Sequence, residues 1–242
     1  MTEPRSLLIL GARNDSIGAH VERAAIAEGR WSTITTAGPV DCGIDVDLTV
    51  QAERTRLLER RPFTDVVCTV GINNETPMTE RHPIVFEGQL RLHMLVNAVA
   101  PLSFLHEWAN RWNFDTDMKF WPTGGVNFLA ISSNSAHIAR SQSTAYCASK
   151  AALSMGLRTM ARASADWPVP VNIVGYEFGW INGTPMSNAV ERRLGHDVAL
   201  HRIPGGRALT AEHAAKLLVA ELIDGRAYYK NGCTIRIDGG EQ

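Results

Sequence analysis

No stretch of this sequence is apolar for long enough to cross a bilayer, and no block carries a single charge. The early apolar run, Leu7 to Leu10, stops at Gly11, too soon for a secretory signal or a membrane span. The 24 basic and 25 acidic residues leave a formal charge of -1, and their even spread offers no broad basic surface to nucleic acid or an anionic bilayer. Cysteine is scarce. Cys42, Cys68, Cys147 and Cys233 stand far apart with no CxxC spacing, which leaves a disulfide scaffold or a thiolate metal site without support. Internal repeats and low-complexity segments are also missing. These absences predict a cytoplasmic protein with reduced thiols, no metal, and no nucleic-acid or membrane partner.

What is present is an alternation of strand and helix signals over 242 residues, a length that fits one α/β domain spanning 1–242. Short apolar runs at 7–10, 31–36, 66–70, 126–131, 169–174 and 234–237 read as strands. Between them, apolar residues at helical intervals read as helices over 16–28, 53–60, 84–110, 144 to about 166, and 210–222. Continuous apolar strands joined by helical crossovers predict a doubly wound, mainly parallel sheet of about seven strands with helices on both faces, a Rossmann-like α/β fold.

The first strand-to-helix turn reads Gly11-Ala12-Arg13-Asn14-Asp15-Ser16-Ile17-Gly18. Gly11 can make the tight exit, Gly18 can let the helix pack closely, and amides around Ser16 and Ile17 can hold a pyrophosphate. The second strand ends in Thr35-Thr36-Ala37-Gly38, with no carboxylate to grip a free ribose diol. NADP(H) is therefore favoured over NAD(H), with Arg13 and Thr36 as candidates for the ribose 2′-phosphate. At Asp47-Leu48, Asp47 either accepts from the adenine amino group or caps the next helix.

Ser132-Ser133 and Tyr146-Cys147-Ala148-Ser149-Lys150 carry the chemistry. Tyr146 and Lys150 lie four apart on one helix, so their side chains share a face, and a nearby ammonium favours the phenolate. Tyr146 would protonate a carbonyl oxygen as hydride reaches carbon, with Ser133 donating a hydrogen bond to the same oxygen. Lys150 would hold the nicotinamide ribose.

Tyr146-Cys147-Ala148-Ser149-Lys150, the preceding Ser133, Asn97 in Leu95-Val96-Asn97-Ala98, and the closing Ile237-Asp238-Gly239-Gly240 together resemble the short-chain dehydrogenase/reductase family over nearly the full length. The resemblance implies a catalytic set of Asn97, Ser133, Tyr146 and Lys150, with Asn97 in a water-linked proton relay. It implies cofactor contacts at Gly71, where Thr69-Val70-Gly71-Ile72 stands for an asparagine-alanine-glycine loop, and at Gly179, Ile181 and Thr184 in a nicotinamide-side loop. It also implies a homodimer or homotetramer. The glycine turn is wider than the family's, and residues 112–121 look inserted, either over the substrate mouth or at a subunit contact.

A substrate-covering segment is expected within 176–209, mobile from Thr184 to about Leu209. Tyr176, Phe178, Trp180, Met186 and His137 are candidates for a moderately apolar pocket. The expected activity is NADPH-dependent reduction of a small or ring ketone, or its reverse. Two alternatives stay open: a cofactor-binding regulatory protein, and a reductase of an activated carbon–carbon double bond. Ser16-Ile17-Gly18 resembles the turn of enoyl reductases, although those enzymes usually place tyrosine and lysine six apart.

Overall fold

Alternate side chains of the first strand, β1 (Arg5–Leu10), face opposite layers of helices. Leu7 and Ile9 join one buried cluster, and Leu8 and Leu10 join another on the far side of the sheet. This is the period of two expected of a strand covered on both faces. A computed structural model describes residues 5–39, 42–73, 83–114, 124–141, 143–194 and 202–241.

The chain continues through α1 (Ile17–Glu28), β2 (Trp31–Gly38), β3 (Ile44–Asp45), α2 (Gln51–Glu59) and β4 (Asp65–Cys68). It then runs through α3 (Pro83–Met94), a π-helical turn (Leu95–Val99), α4 (Ala100–Phe114), β5 (Val126–Ser133), α5 (Thr144–Ala163) and β6 (Val171–Phe178). The last elements are β7 (Ile181–Asn182), α6 (Pro185–Leu194), β8 (Leu209–Thr210), α7 (Ala211–Ile223), α8 (Arg226–Tyr229) and β9 (Thr234–Ile237).

Seven strands form one sheet in the order β3-β2-β1-β4-β5-β6-β9, and every pairing is parallel. On one face α1 and α7 cover Ile9, Val67, Leu129 and Val174 with Val21, Ala25, Leu218 and Val219. On the other, α2, α4 and α5 cover Leu10, Val66 and Phe128 with Leu57, Phe104, Trp108 and Leu153. Each such fully buried side chain contributes about 1.5–3 kcal/mol. Strand order reverses between β1 and β4, so their carboxyl ends open a crevice where α/β sheets bind ligands.

At the opposite end of the strands, the buried carboxylate of Asp65 collects donors from three strands. It accepts from Arg5 Nη2 at 2.6 Å, Trp31 Nε1 at 2.8 Å and Asn127 Nδ2 at 2.7 Å. Five donor contacts compensate the desolvation of one buried charge.

Several boundaries differ from expectation for identifiable reasons. The fifth predicted strand begins at Val171 rather than 169, because Pro168 and Pro170 lack the N–H a sheet interior requires. It also runs on to Phe178, so Gly175–Phe178 is strand and not loop. The predicted 84–110 helix extends from Pro83 to Phe114, interrupted by the π-helical turn. Where a mobile segment was expected after Thr184, α6 forms, opened by Pro185; residues 195–201 lie outside the described residues.

Of the expected insertion, 115–121 likewise lies outside them. Trp112 itself belongs to the core: it is 1% exposed, and its Nε1 donates to Phe63 O at 3.0 Å.

Candidate active site

Gly11, leaving β1, has φ +86°, and a Cβ there would lie 3.0 Å from Thr69 Oγ1. Glycine is the residue that takes this turn without strain. Thr69 donates to Leu10 O at 2.9 Å and Gly11 O at 3.1 Å, stitching the loop after β4 to the glycine turn. At Gly18 a Cβ would lie 2.7 Å from Ala12 Cα. Its smallness therefore lets α1 seat against the turn, whereas Gly11, Arg13, Ser16 and Ile17 line the cleft itself. Ser16 also caps α1, its hydroxyl accepting from Ala19 N at 3.3 Å.

The cleft is about 1180 Å³. Asn97, in the π-helical turn, is fully buried beneath Gly71 and Ile72 and is not itself among the residues that line the cleft. Its Oδ1 accepts from Ile72 N at 2.8 Å, and its Nδ2 donates to Ile72 O and to Ser149 Oγ, both at 3.0 Å. Gly71 sits above it; a Cβ there would lie 3.2 Å from Lys150 Nζ and 3.4 Å from Asn97 Oδ1. Lys150 Nζ donates to Ile131 O at 3.0 Å and lies 5.9 Å from the centre of the Tyr146 ring.

Of the two adjacent serines, Ser132 is committed inward. It shares a hydrogen bond with Ser154 Oγ at 2.8 Å and donates to Lys150 O at 3.2 Å. Ser133, which ends β5, lines the cleft with Tyr146, and its Oγ accepts from Ser135 N at 3.2 Å.

Burial dominates the titration of this group. It pushes the Tyr146 phenol up to about 12, against a smaller downward pull from Ser133. It pulls Lys150 down to about 8 and pushes the Cys68 thiol behind it up to about 11. The expectation that Lys150 draws the phenol toward neutrality is thus corrected for the cleft as it stands. Desolvation outweighs the ammonium, whose proton is directed at Ile131 O.

On the far wall, Gly179, Ile181 and Thr184 line the cleft with Phe178, Trp180 and Met186. Thr184 Oγ1 accepts from Ser187 N at 3.0 Å, capping α6. Ile181 is fixed by the pairing of β7 with β8, opposite Leu209.

Five further expected residues are not in the cleft lining. Thr36 spends its hydroxyl on Gly43 N at 2.8 Å and is not part of the cleft wall, which Pro39 and Cys42 form here. Asp47 holds the turn before α2, accepting from Thr49 N at 2.9 Å and Thr49 Oγ1 at 2.7 Å, but it does not cap the helix, whose N-cap is Val50 with no side-chain bond. Leu48 is buried in the core and its carbonyl accepts from Arg54 Nη1 at 2.7 Å. Tyr176 stacks on Phe178 from the same face of β6, ring centres 6.0 Å apart, but lies one pair further from the carboxyl end of the strand and so stays in the core while Phe178 reaches the cleft. His137 pairs with the buried Glu177 carboxylate at 2.9 Å, away from the cleft.

Sequence reasoning also missed Asn134, Arg140 and Glu241, which line the cleft beside Ser133. No spacing pattern links residues 107 positions apart.

A parallel sheet whose switch point opens beside a serine, tyrosine and lysine defines an oxidoreductase of the dinucleotide-binding type. Residues 116–242, just over half the chain, match the family model described as enoyl-(acyl carrier protein) reductase. No curated protein sequence matches the chain.

Among solved structures, a short chain dehydrogenase family protein from Francisella tularensis subsp. tularensis SCHU S4 superposes with a TM-score of 0.79 at 17% identity, covering 98% of each chain. A 3-oxoacyl-[acyl-carrier protein] reductase from Brucella melitensis, in complex with NAD, gives 0.78 at 18%, covering 99% of this chain and 98% of its own. BdcA in complex with NADPH gives 0.73 at 19%, covering 99% and 95%. The chain belongs to the short-chain dehydrogenase/reductase family of NAD(P)-linked oxidoreductases.

Among the described residues, no helix is long and apolar enough to cross a membrane, and no cluster of three His, Cys, Asp or Glu could hold a metal.

Proposed function

We propose that the protein catalyses NADPH-dependent reduction of a small or ring ketone to a secondary alcohol, or the reverse. The observation that carries this reading is the meeting of Ser133, Tyr146 and Lys150, the last one helical turn beyond Tyr146, in the lining of one cleft of about 1180 Å³. The cleft fits a dinucleotide. Gly11 and Gly71 leave space that a side chain would fill, and Asn73 Oδ1 is buried there with no hydrogen-bond partner among the described residues. A bound nicotinamide supplies the hydride.

Gly11, Ser16 and Ile17 would hold the pyrophosphate side, Gly179, Ile181 and Thr184 the nicotinamide side, and Lys150 the adjoining ribose. Arg13, exposed at the cleft edge, would take the 2′-phosphate that favours NADP over NAD. Tyr146 keeps its proton at neutral pH, as an acid for a carbonyl oxygen requires, and Ser133 orients that oxygen. Asn97 anchors the floor through Ile72 and Ser149 and would pass protons onward by way of water.

We place the substrate cover within 176–209, where α6 lies over the cleft, and the whole chain in one domain. An exposed stripe of Ile84, Leu92, Leu95 and Val99 on α3 and the π-helical turn supports a homodimer or homotetramer, which we place in the cytoplasm. Reduction of an activated double bond is the second reading, favoured by the description of the matching family model and opposed by the four-residue tyrosine–lysine spacing.

Titration with NADPH and NADH, followed by a carbonyl and enoyl panel read by loss of cofactor absorbance, tests the proposal. Selective NADPH binding with ketone turnover supports it; enoyl turnover alone supports the second reading; no binding of either cofactor overturns both.

A further inference from the structure

The chain reverses after β9 through Gly239 and Gly240, both at positive φ. This turn sends Glu241 back into the cleft wall, where it is 4% exposed. Its two carboxylate oxygens are fully used by three separate segments. Oε2 accepts from Asn134 Nδ2 at 2.8 Å and from Trp180 N at 3.3 Å, and Oε1 accepts from Arg140 Nη2 at 2.5 Å. Gly179 makes room for this approach, since a Cβ there would lie 2.6 Å from Asp238 Cβ and 2.9 Å from Glu241 Oε2.

A buried carboxylate is costly to desolvate, and charge-assisted hydrogen bonds of this kind are what hold it. Glu241 is the sole carboxylate lining the cleft among the described residues.

The three segments are those that define the reacting geometry. Asn134 follows Ser133 directly, and its carbonyl accepts from His137 N and Ile138 N. Arg140 leads into α5: its carbonyl accepts from Ser143 N at 3.0 Å, and Ser143 O accepts from Cys147 N at 2.8 Å in the turn that carries Tyr146. Ser143 supplies no side-chain cap to α5, so the start of that helix takes its position from the loop before it. Trp180 follows Gly179 on the opposite wall.

We infer that Glu241 is a positioning residue for the reaction: its carboxylate clamps Asn134, Arg140 and the Trp180 amide, and so fixes Ser133 and Tyr146 relative to the Gly179 wall. It touches neither reacting atom and acts through those two side chains. The kinetic consequence rests on the reductase reading; the clamp itself does not.

The test compares Glu241→Gln, Arg140→Gln, their double variant and the conservative Arg140→Lys. Hydrogen exchange by mass spectrometry should rise about tenfold in 134–147 and 178–182 of Glu241→Gln, with β1 and β4 unchanged. The NADPH Kd should stay within about twofold while kcat falls between about tenfold and a hundredfold. The double variant should lose no more than the worse single, and Arg140→Lys should retain most of the rate.

Unchanged exchange in 134–147, additive losses, or a rise in Kd equal to the fall in kcat overturns the clamp. A wild-type chain that turns over no carbonyl overturns the reductase reading, and exchange alone then decides the clamp. If Glu241→Gln does not fold, Arg140→Gln against Arg140→Lys gives the same exchange contrast.

Discussion

Replacing Lys150 by methionine should make the protein more stable at neutral pH while removing its turnover. Lys150 is 3% exposed, and burial pulls its ammonium from 10.5 down to about 8. That fall corresponds to about 3 kcal/mol of cost for keeping the charge inside at pH 7. Methionine has similar reach and no charge, and it forfeits the hydrogen bond to Ile131 O, a loss of about 1 kcal/mol. The variant should therefore gain about 2 kcal/mol at neutral pH.

The sign follows from proton counts. Between about 8 and 10.5 the unfolded lysine still holds its proton while the folded one has released it, so wild-type stability rises with pH at up to about 1.4 kcal/mol per pH step. Cys68, pushed up to about 11, stays a thiol through the lower part of that window. The advantage of Lys150→Met should accordingly shrink to near zero by about pH 9.5. Urea unfolding of both proteins at pH 7 and at about pH 9.5 measures it. A variant less stable than wild type at pH 7, or an advantage that does not change with pH, refutes the reasoning.

Tyr146→Phe should leave the NADPH Kd unchanged and lower kcat by about 10²–10⁴-fold, the range for a lost general acid; near-normal turnover would remove Tyr146 from the proton-transfer role. Arg13→Ala should raise the Kd for NADPH about tenfold or more and leave that for NADH alone, as read by nucleotide fluorescence; equal effects on both would take the 2′-phosphate away from Arg13. Asp65→Ala should destabilise the fold by about 3–5 kcal/mol in urea, because it strands the Arg5 charge and the Trp31 and Asn127 donors in a buried site. A loss below about 1 kcal/mol would mean that water or rearranged side chains satisfy them.

The strands were legible because their apolar residues alternate between two covered faces, and the helices because theirs recur on one. Tyr146 and Lys150 were legible for a local reason: four residues on one helix share a face whatever surrounds them. Ser133 could be told from Ser132 only by which one the strand turns toward the cleft, a fact of register.

Thr36 and Asp47 were misplaced because short polar side chains at strand ends serve nearby backbone amides as readily as a ligand. The π-helical turn under Asn97 leaves no mark in residue type, since it is a change of hydrogen-bond partner. Glu241 was invisible for the most general reason: its side-chain partners come from a loop more than a hundred positions earlier, and only the folded sheet brings them within reach.

The pairing of β7 with β8 joins Ile181 to Leu209 and Asn182 to Thr210, so the two ends of the intervening sequence are pinned side by side, as at a gate. Closing a longer excursion on that gate costs only about 0.6 kcal/mol for each doubling of its length. Changes of length between those two ends should therefore cost the sheet little, and α6, whose Met186, Ala189 and Val190 line the cleft, is where they would alter what the cleft admits.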